Sequence, residues 1–209
     1  MRIFRPTWAT VAILLVAAAA AGSPVRAIEI KPEADLGAEF KSAATYDIDP
    51  KLTAPGVPDI YQGTEVWNLR LVDPDNRRPV DYDATRTVLD SIGDSPPALS
   101  DDGAAKMFLL QRALAVRAEL PEAFGVASTY EPLAATGDHA GRVVAYIRGH
   151  QAIAIAPRLT YELPDMTDTT LTLPPGTWTD RFSGRTHHGV VNLGELWSEF
   201  PVTLLTSDE

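Results

Sequence analysis

The residues best suited to chemistry cluster between Asp59 and Pro79. Asp59-Ile60-Tyr61-Gln62-Gly63-Thr64-Glu65 carries a phenol, an amide and an acid around one glycine. An extended run that delivers such groups into a polar turn is how an α/β barrel presents a site at the C-terminal ends of its strands. The same residues also suit a buried tyrosine with Glu65 bonded to loop amides, and the motif by itself leaves both open. Asn76-Arg77-Arg78-Pro79 adds two guanidinium groups, whose forked donors suit carboxylates or sugar hydroxyls. They suit equally well ion pairs with Asp73, Asp75 or Asp81 that would brace a loop. Trp67, Trp178 and Trp197 are candidate platforms for stacking sugar rings, although Trp178 falls within a strand pattern that buries it. His187-His188 follows Ser183-Gly184 and reads as a solvated hairpin. Asp138, Asp165 and Asp168 fall in turns, and no spacing pairs them for acid–base work.

These groups need elements to hold them. Val57–Tyr61 reads as a short strand between Pro55-Gly56 and Gly63, limited by Pro58, which cannot donate to a ladder. Leu69–Val72 is a second short extended piece, and Asp73–Pro79 has the composition of a loop. Asp81–Ile92 reads as a helix capped by Asp83 and ended at Gly93. Asp101 is placed to cap the clearest helix, Gly103–Glu119. There Met107, Leu110, Leu114 and Arg117 form one stripe, and Lys106, Leu109, Ala113 and Val116 the next. Apolar coverage that wide predicts a helix packed on a larger body, and Pro121 stops it. The period then shortens. Arg142–Arg148, Gln151–Pro157, Thr169–Leu173, Thr177–Phe182, Gly189–Leu193 and Val202–Leu205 are strand-like runs separated by turn residues, the pattern of an antiparallel sandwich. A boundary between the two parts is expected near Leu120–Ala135.

Composition narrows the function. The chain has 209 residues, 45% hydrophobic and 22% charged, as globular proteins have. A net charge of −10 argues against nucleic-acid binding, which needs clustered cations. Without cysteine there is neither a disulfide nor a thiolate metal site, and the four histidines show no ligand spacing. No metal and no cofactor is expected. At the N-terminus, Arg2 and Arg5 precede the apolar run Trp8–Ala21, followed by Gly22-Ser23-Pro24 and the small-residue region Val25-Arg26-Ala27. This has the layout of a secretory signal helix over 1–27. A membrane anchor, or an alanine-rich start from a misplaced reading frame, remains an alternative. Residues 28–50 are acidic and weakly patterned, and read as a disordered linker.

From Lys51 onward the chain resembles maltooligosyl trehalose synthase, a family of amylase-type enzymes. PGVPDIYQGTE followed by LVDPDNRRPVDY carries the resemblance, and GAAKMFLLQRALAVR, LPPGTWTDRFSGR and FPVTLL extend it to Leu205. The resemblance implies an α/β plus all-β architecture. Residues 51–120 would be the last strand and helix of a (β/α)8 barrel, with Val57–Gly63 the eighth strand and its exit turn. Residues 121–209 would be the β-sandwich domain. It implies a maltooligosaccharide or glycogen-type glucan as substrate, and Tyr61, Gln62, Glu65, Asn76, Arg77 and Arg78 as substrate-binding residues. It implies an intramolecular transglucosylation that turns the reducing-end α-1,4 bond into an α,α-1,1 bond, a step of trehalose biosynthesis. The family's carboxylate nucleophile and acid/base and its third acid lie upstream of PGVPDIYQGTE, so no catalytic residue is assigned and the chain alone is expected to be inactive. Two further readings stand beside this one. One is a secreted, non-catalytic carbohydrate-binding or interaction module using Trp67 and Trp197. The other is a half-enzyme completed by a second chain carrying the rest of the barrel. The family implies a cytoplasmic location, and the signal-like start an exported one.

Overall fold

The computed structural model describes residues 50–68, 78–160 and 162–208. The signal-like segment, the linker apart from Pro50, Leu69–Val72 and the loop as far as Arg77 lie outside the described residues. Among the described residues no helix is long and apolar enough to cross a membrane.

The middle layer is an antiparallel sheet of six strands. They are β1 (Tyr130–Pro132), β3 (Val143–Arg148), β4 (Ala152–Pro157), β6 (Trp178–Asp180), β7 (Thr186–His187) and β9 (Thr203–Ser207). Their spatial order is β1-β3-β4-β9-β6-β7. The sequence of β4, Ala-Ile-Ala-Ile-Ala-Pro, shows why this sheet is buried on both faces. Side chains alternate along a strand, so Ile153 and Ile155 enter one apolar cluster while Ala152 and Ala156 enter the other. Beside it, β9 divides Leu204 and Leu205 in the same way. The isoleucine face meets a second antiparallel sheet, β2 (Ala135–Gly137), β5 (Thr169–Thr172) and β8 (Val190–Asn192), in the order β2-β5-β8. Leu171, Leu173, Val191 and Trp178 fill that interface. The expected antiparallel pairing of sheets is therefore present.

The alanine face lets a helix approach closely. Between β-sheet and rim runs α2 (Ala104–Glu119), which follows α1 (Tyr82–Ser91) and precedes the one-turn α3 (Pro121–Phe124). Phe108 of α2 meets Phe182 and Phe200 with ring centroids 6.1 and 5.8 Å apart, and those two rings lie 5.5 Å from each other. Such tilted, edge-on arrangements suit the ring quadrupoles. The buried face is Ala105, Met107, Phe108, Leu109, Leu110, Ala113 and Val116, so Met107 and Leu110 of the first expected stripe and Leu109, Ala113 and Val116 of the second are buried, while Leu114 is exposed. The first stripe leaves the buried face only towards its C-terminal end, at Leu114 and Arg117, and Phe108 joins the face that the two stripes share.

Three other expectations are corrected. Val57–Tyr61 is not a strand: Pro58 has no N–H, and no described strand runs alongside to complete a ladder. The N-cap of α1 is Asp81, not Asp83: its side chain accepts from the Ala84 amide at 2.9 Å, while Asp83 sits in the first turn. At α2 the carboxylate near the first turn is Asp102, not Asp101. Its Oδ1 accepts from the Ala104 amide at 2.9 Å and from the Ser100 hydroxyl at 2.5 Å, while Gly103 occupies the cap position at φ 78°. The strand expectations otherwise hold to within a few residues, but β1, β2, β7 and the short helix α4 (Leu193–Leu196) have no counterpart in the sequence reading.

Two arginines deliver the chain from this body to the candidate site. Arg148, on β3 and only 2% exposed, donates to the Thr53 carbonyl at 2.9 Å and the Thr129 carbonyl at 3.2 Å. Arg117, on α2, donates to the carbonyls of Leu52 at 2.7 Å and Gly56 at 3.1 Å. The Tyr146 hydroxyl shares a 2.6 Å hydrogen bond with Thr53 Oγ1. Residues 50–56, including the buried Leu52 and Thr53, are thus fixed to the sheet before the chain turns outward.

Candidate functional site

The candidate site is a turn laid against the start of α2. Ile60 packs on the helix–sheet cluster, which fixes the turn's root. The Tyr61 carbonyl then accepts both the Thr64 amide at 3.0 Å and the Thr64 hydroxyl at 2.6 Å, closing the reversal. Gly63 stands at φ 79°, and a Cβ there would lie 3.0 Å from Val80. That close approach requires glycine, and it sets the segment just after Arg78 beside the turn.

The side chains divide by exposure. Tyr61 is 54% exposed and Gln62 is exposed, with its Oε1 accepting from the Tyr82 hydroxyl at 2.9 Å. Glu65 turns inward: its Oε2 is sealed from solvent and has no hydrogen-bond partner. Trp67, half-buried, donates its Nε1 to the Ser100 carbonyl at 2.8 Å. Sequence reasoning missed Lys106, on α2, as a site residue. Its amine donates to the Val66 carbonyl at 3.0 Å and stands 5.7 Å from the centroid of the Trp67 ring. Burial lowers its pKa, the Glu65 carboxylate raises it, and Lys51 lowers it again. The available signal was a lysine sharing a stripe with Leu109, Ala113 and Val116.

Two concavities border the turn. A groove of about 500 Å³ runs between Gly63–Asn68 and α1, lined by Trp67, Val80, Asp81, Thr85, Val88 and Asp102 among others. A smaller cavity of about 210 Å³ lies on the other side, lined by Lys51, Asp59, Tyr61, Thr64, Lys106 and apolar neighbours. The two groove acids, Asp81 and Asp102, each commit Oδ1 to a helix amide. The arrangement therefore offers hydrogen-bonding groups and aromatic surface to a hydroxyl-rich ligand, without a facing pair of free acids among the described residues. Among the described residues no group of acids and histidines could hold a metal.

The other sequence candidates separate from this turn. Arg78 is exposed, just ahead of α1, and Asn76 and Arg77 lie outside the described residues. Trp178 is buried between the sheets and donates to the Pro174 carbonyl at 3.0 Å. Trp197, half-buried, packs on the same cluster with its Nε1 sealed from solvent and unpartnered. His187 lies in the β6–β7 hairpin with Nε2 buried and unpartnered; burial lowers its pKa, the largest effect, against the nearby Asp180 carboxylate.

Comparison with known proteins places this turn and its supporting body in one lineage. A protein of Mycobacterium tuberculosis named as a maltooligosyl trehalose synthase is 41% identical over 159 residues, 75% of this chain. The solved maltooligosyltrehalose synthase of Arthrobacter ramosus matches 83% of the chain at 38% identity, with a TM-score of 0.76. Over the matched residues the chain corresponds to a part of maltooligosyl trehalose synthases. A further crystal structure of a maltooligosyl trehalose synthase matches 84% of the chain at 27% identity, with a TM-score of 0.66. No family model matches. The chain spans 19% of the length of the curated synthase and 23% of each of these two solved synthases.

Proposed function

We propose that the described residues form one wall of the glucan site of a maltooligosyl trehalose synthase, together with the β-sandwich that supports it. Tyr61 and Gln62 contact the glucan, with Asn76, Arg77 and Arg78 from the following loop, while Glu65 braces the turn beneath them. The whole enzyme would convert the reducing-end α-1,4 bond of a maltooligosaccharide to an α,α-1,1 bond. The observation that carries this reading is the Tyr61–Glu65 turn, built on PGVPDIYQGTE and held open to solvent within a region that matches synthases at 38–41% identity.

Binding without conversion is the expectation for the 209 residues by themselves: among the described residues the groove acids Asp81 and Asp102 each give Oδ1 to a helix amide, and no free acid pair faces across the groove. Calorimetry with maltohexaose tests the binding half: weak affinity is expected, lowered roughly tenfold or more by Tyr61→Ala, as loss of a stacking anchor does. The absence of any affinity in the unmodified chain defeats the glucan reading. Incubation with maltohexaose tests the other half, since loss of reducing ends catalysed by this chain alone would show that it carries the chemistry.

A further inference from the structure

The turn meets the chain at three points, Ser100 and Gly103 just ahead of α2 and Lys106 on it, and Lys106 is the one that carries charge. Gly103 leaves no room for a Cβ, which would meet Val66 Cβ at 2.9 Å and the Trp67 amide nitrogen at 3.0 Å. Trp67 is held through Ser100, and Lys106 bonds the Val66 carbonyl from the opposite side while its amine sits over the Trp67 ring. A half-buried ammonium is costly unless other groups offset its lost hydration. Those available here are one carbonyl, one aromatic face and the inward carboxylate of Glu65. A lysine maintained there for packing alone would be replaceable by methionine at no cost.

We propose that Lys106 is a positioning residue of the glucan site: with Glu65 beneath the turn, it locks Val66 and Trp67 against α2 and so sets where Tyr61 and Gln62 project. This inference rests on the glucan reading above. Lys51, Asp59 and Tyr61, which line the same cavity, are the other titratable groups facing it. The lysine's burial predicts that its support fades at a pH below the ordinary lysine range, as the amine loses its proton.

The test compares Lys106→Met, Lys106→Arg and the unmodified 209-residue chain by hydrogen exchange and by maltohexaose calorimetry. Lys106→Met is expected to speed exchange of the 64–68 amides about tenfold, leaving β3 and β4 unchanged. It should weaken maltohexaose binding about tenfold, with Lys106→Arg recovering most of both losses. The unmodified chain should lose affinity on the alkaline side, and Lys106→Arg should not. Unchanged exchange in Lys106→Met overturns the proposal. Faster exchange with unchanged affinity also overturns it, reducing Lys106 to a structural tie. Should the unmodified chain bind no maltohexaose, the glucan reading fails, and the exchange data alone decide whether Lys106 locks the turn.

Discussion

The middle sheet and the rim of the candidate site are built on opposite principles. All six residues of β4 are buried, and its neighbours on both faces are apolar. Ten residues of α1, next to the groove, include none that is buried. Leu89 is 40% exposed and Tyr82 58%. In the sheet, free energy comes from area removed from water, about 25 cal/mol per Å². On the rim, order comes from single polar ties: a cap at Asp81, the Tyr82–Gln62 bond, the Lys106–Val66 bond. Ligand-facing segments are commonly drawn from such lightly held structure because their groups must stay available.

The largest effect should come from the point where helix meets sheet. Phe108 is fully buried and touches both Phe182 and Phe200. Phe108→Ala should cost about 3–5 kcal/mol of stability by urea unfolding, as aromatic truncations in cores do. A cost below about 1 kcal/mol would mean that α2 is not anchored through that ring. Next comes the link between body and rim. Arg148→Met keeps an apolar stem but removes the charged donor to the buried Thr53 carbonyl, while the Thr129 carbonyl retains the Gly149 amide at 3.2 Å. A loss of about 1–3 kcal/mol is expected. Proteolysis should quicken near residues 50–56 before it quickens in the sheet; simultaneous cutting in both would deny the arginine its linking role.

The same contrast governs what the sequence could show. β4 was legible because alternation persists over six residues, and α2 because sixteen residues of apolar coverage cannot arise by accident. The two-residue β7 and three-residue β1 and β2 carry no period to read, since pairing rather than pattern makes them strands. Val57–Tyr61 failed for the same reason in reverse: its residues favour extension, but extension becomes a strand only beside a partner. At the site, Tyr61 and Gln62 announced themselves by type. Lys106 did not, because its meaning depends on contact with Val66 and Trp67 forty residues away in the chain. Cap positions were missed by one or two residues because Asp81, Asp83, Asp101 and Asp102 are chemically alike and only backbone angles choose among them.

A smaller effect, in the body, concerns Asp180. It is 3% exposed, and its oxygens accept from the Phe182 amide at 3.0 Å and the Ser183 hydroxyl at 2.5 Å. Burial pushes its carboxyl above the ordinary range, outweighing those two hydrogen bonds and the opposing influence of His187. A group raised in the folded state holds its proton more tightly there than in the unfolded chain. Its contribution to stability therefore grows as pH falls through the folded value and is complete below the unfolded one. Asp180→Asn, neutral at every pH, should remove this acid-side gain. The difference in urea stability between the two proteins should shift in favour of aspartate from neutral to acidic pH. A flat difference would show that the carboxyl is not raised.

The smallest global effect should come from the rim itself, and it is the sharpest test of the contrast. Asp81→Ala removes the acceptor of the Ala84 amide at the start of α1, a change that typically costs about 1 kcal/mol. If α1 were part of the cooperative core, that cost would appear in the unfolding midpoint of the whole protein. Because α1 buries none of its residues, it should open on its own, and the loss should be confined to it. Hydrogen exchange in residues 82–91 is therefore expected to accelerate about fivefold, while the global midpoint stays within error. A midpoint that falls by the full cap energy would join rim and core into one unit, and would require contacts between α1 and α2 stronger than exposed side chains can supply.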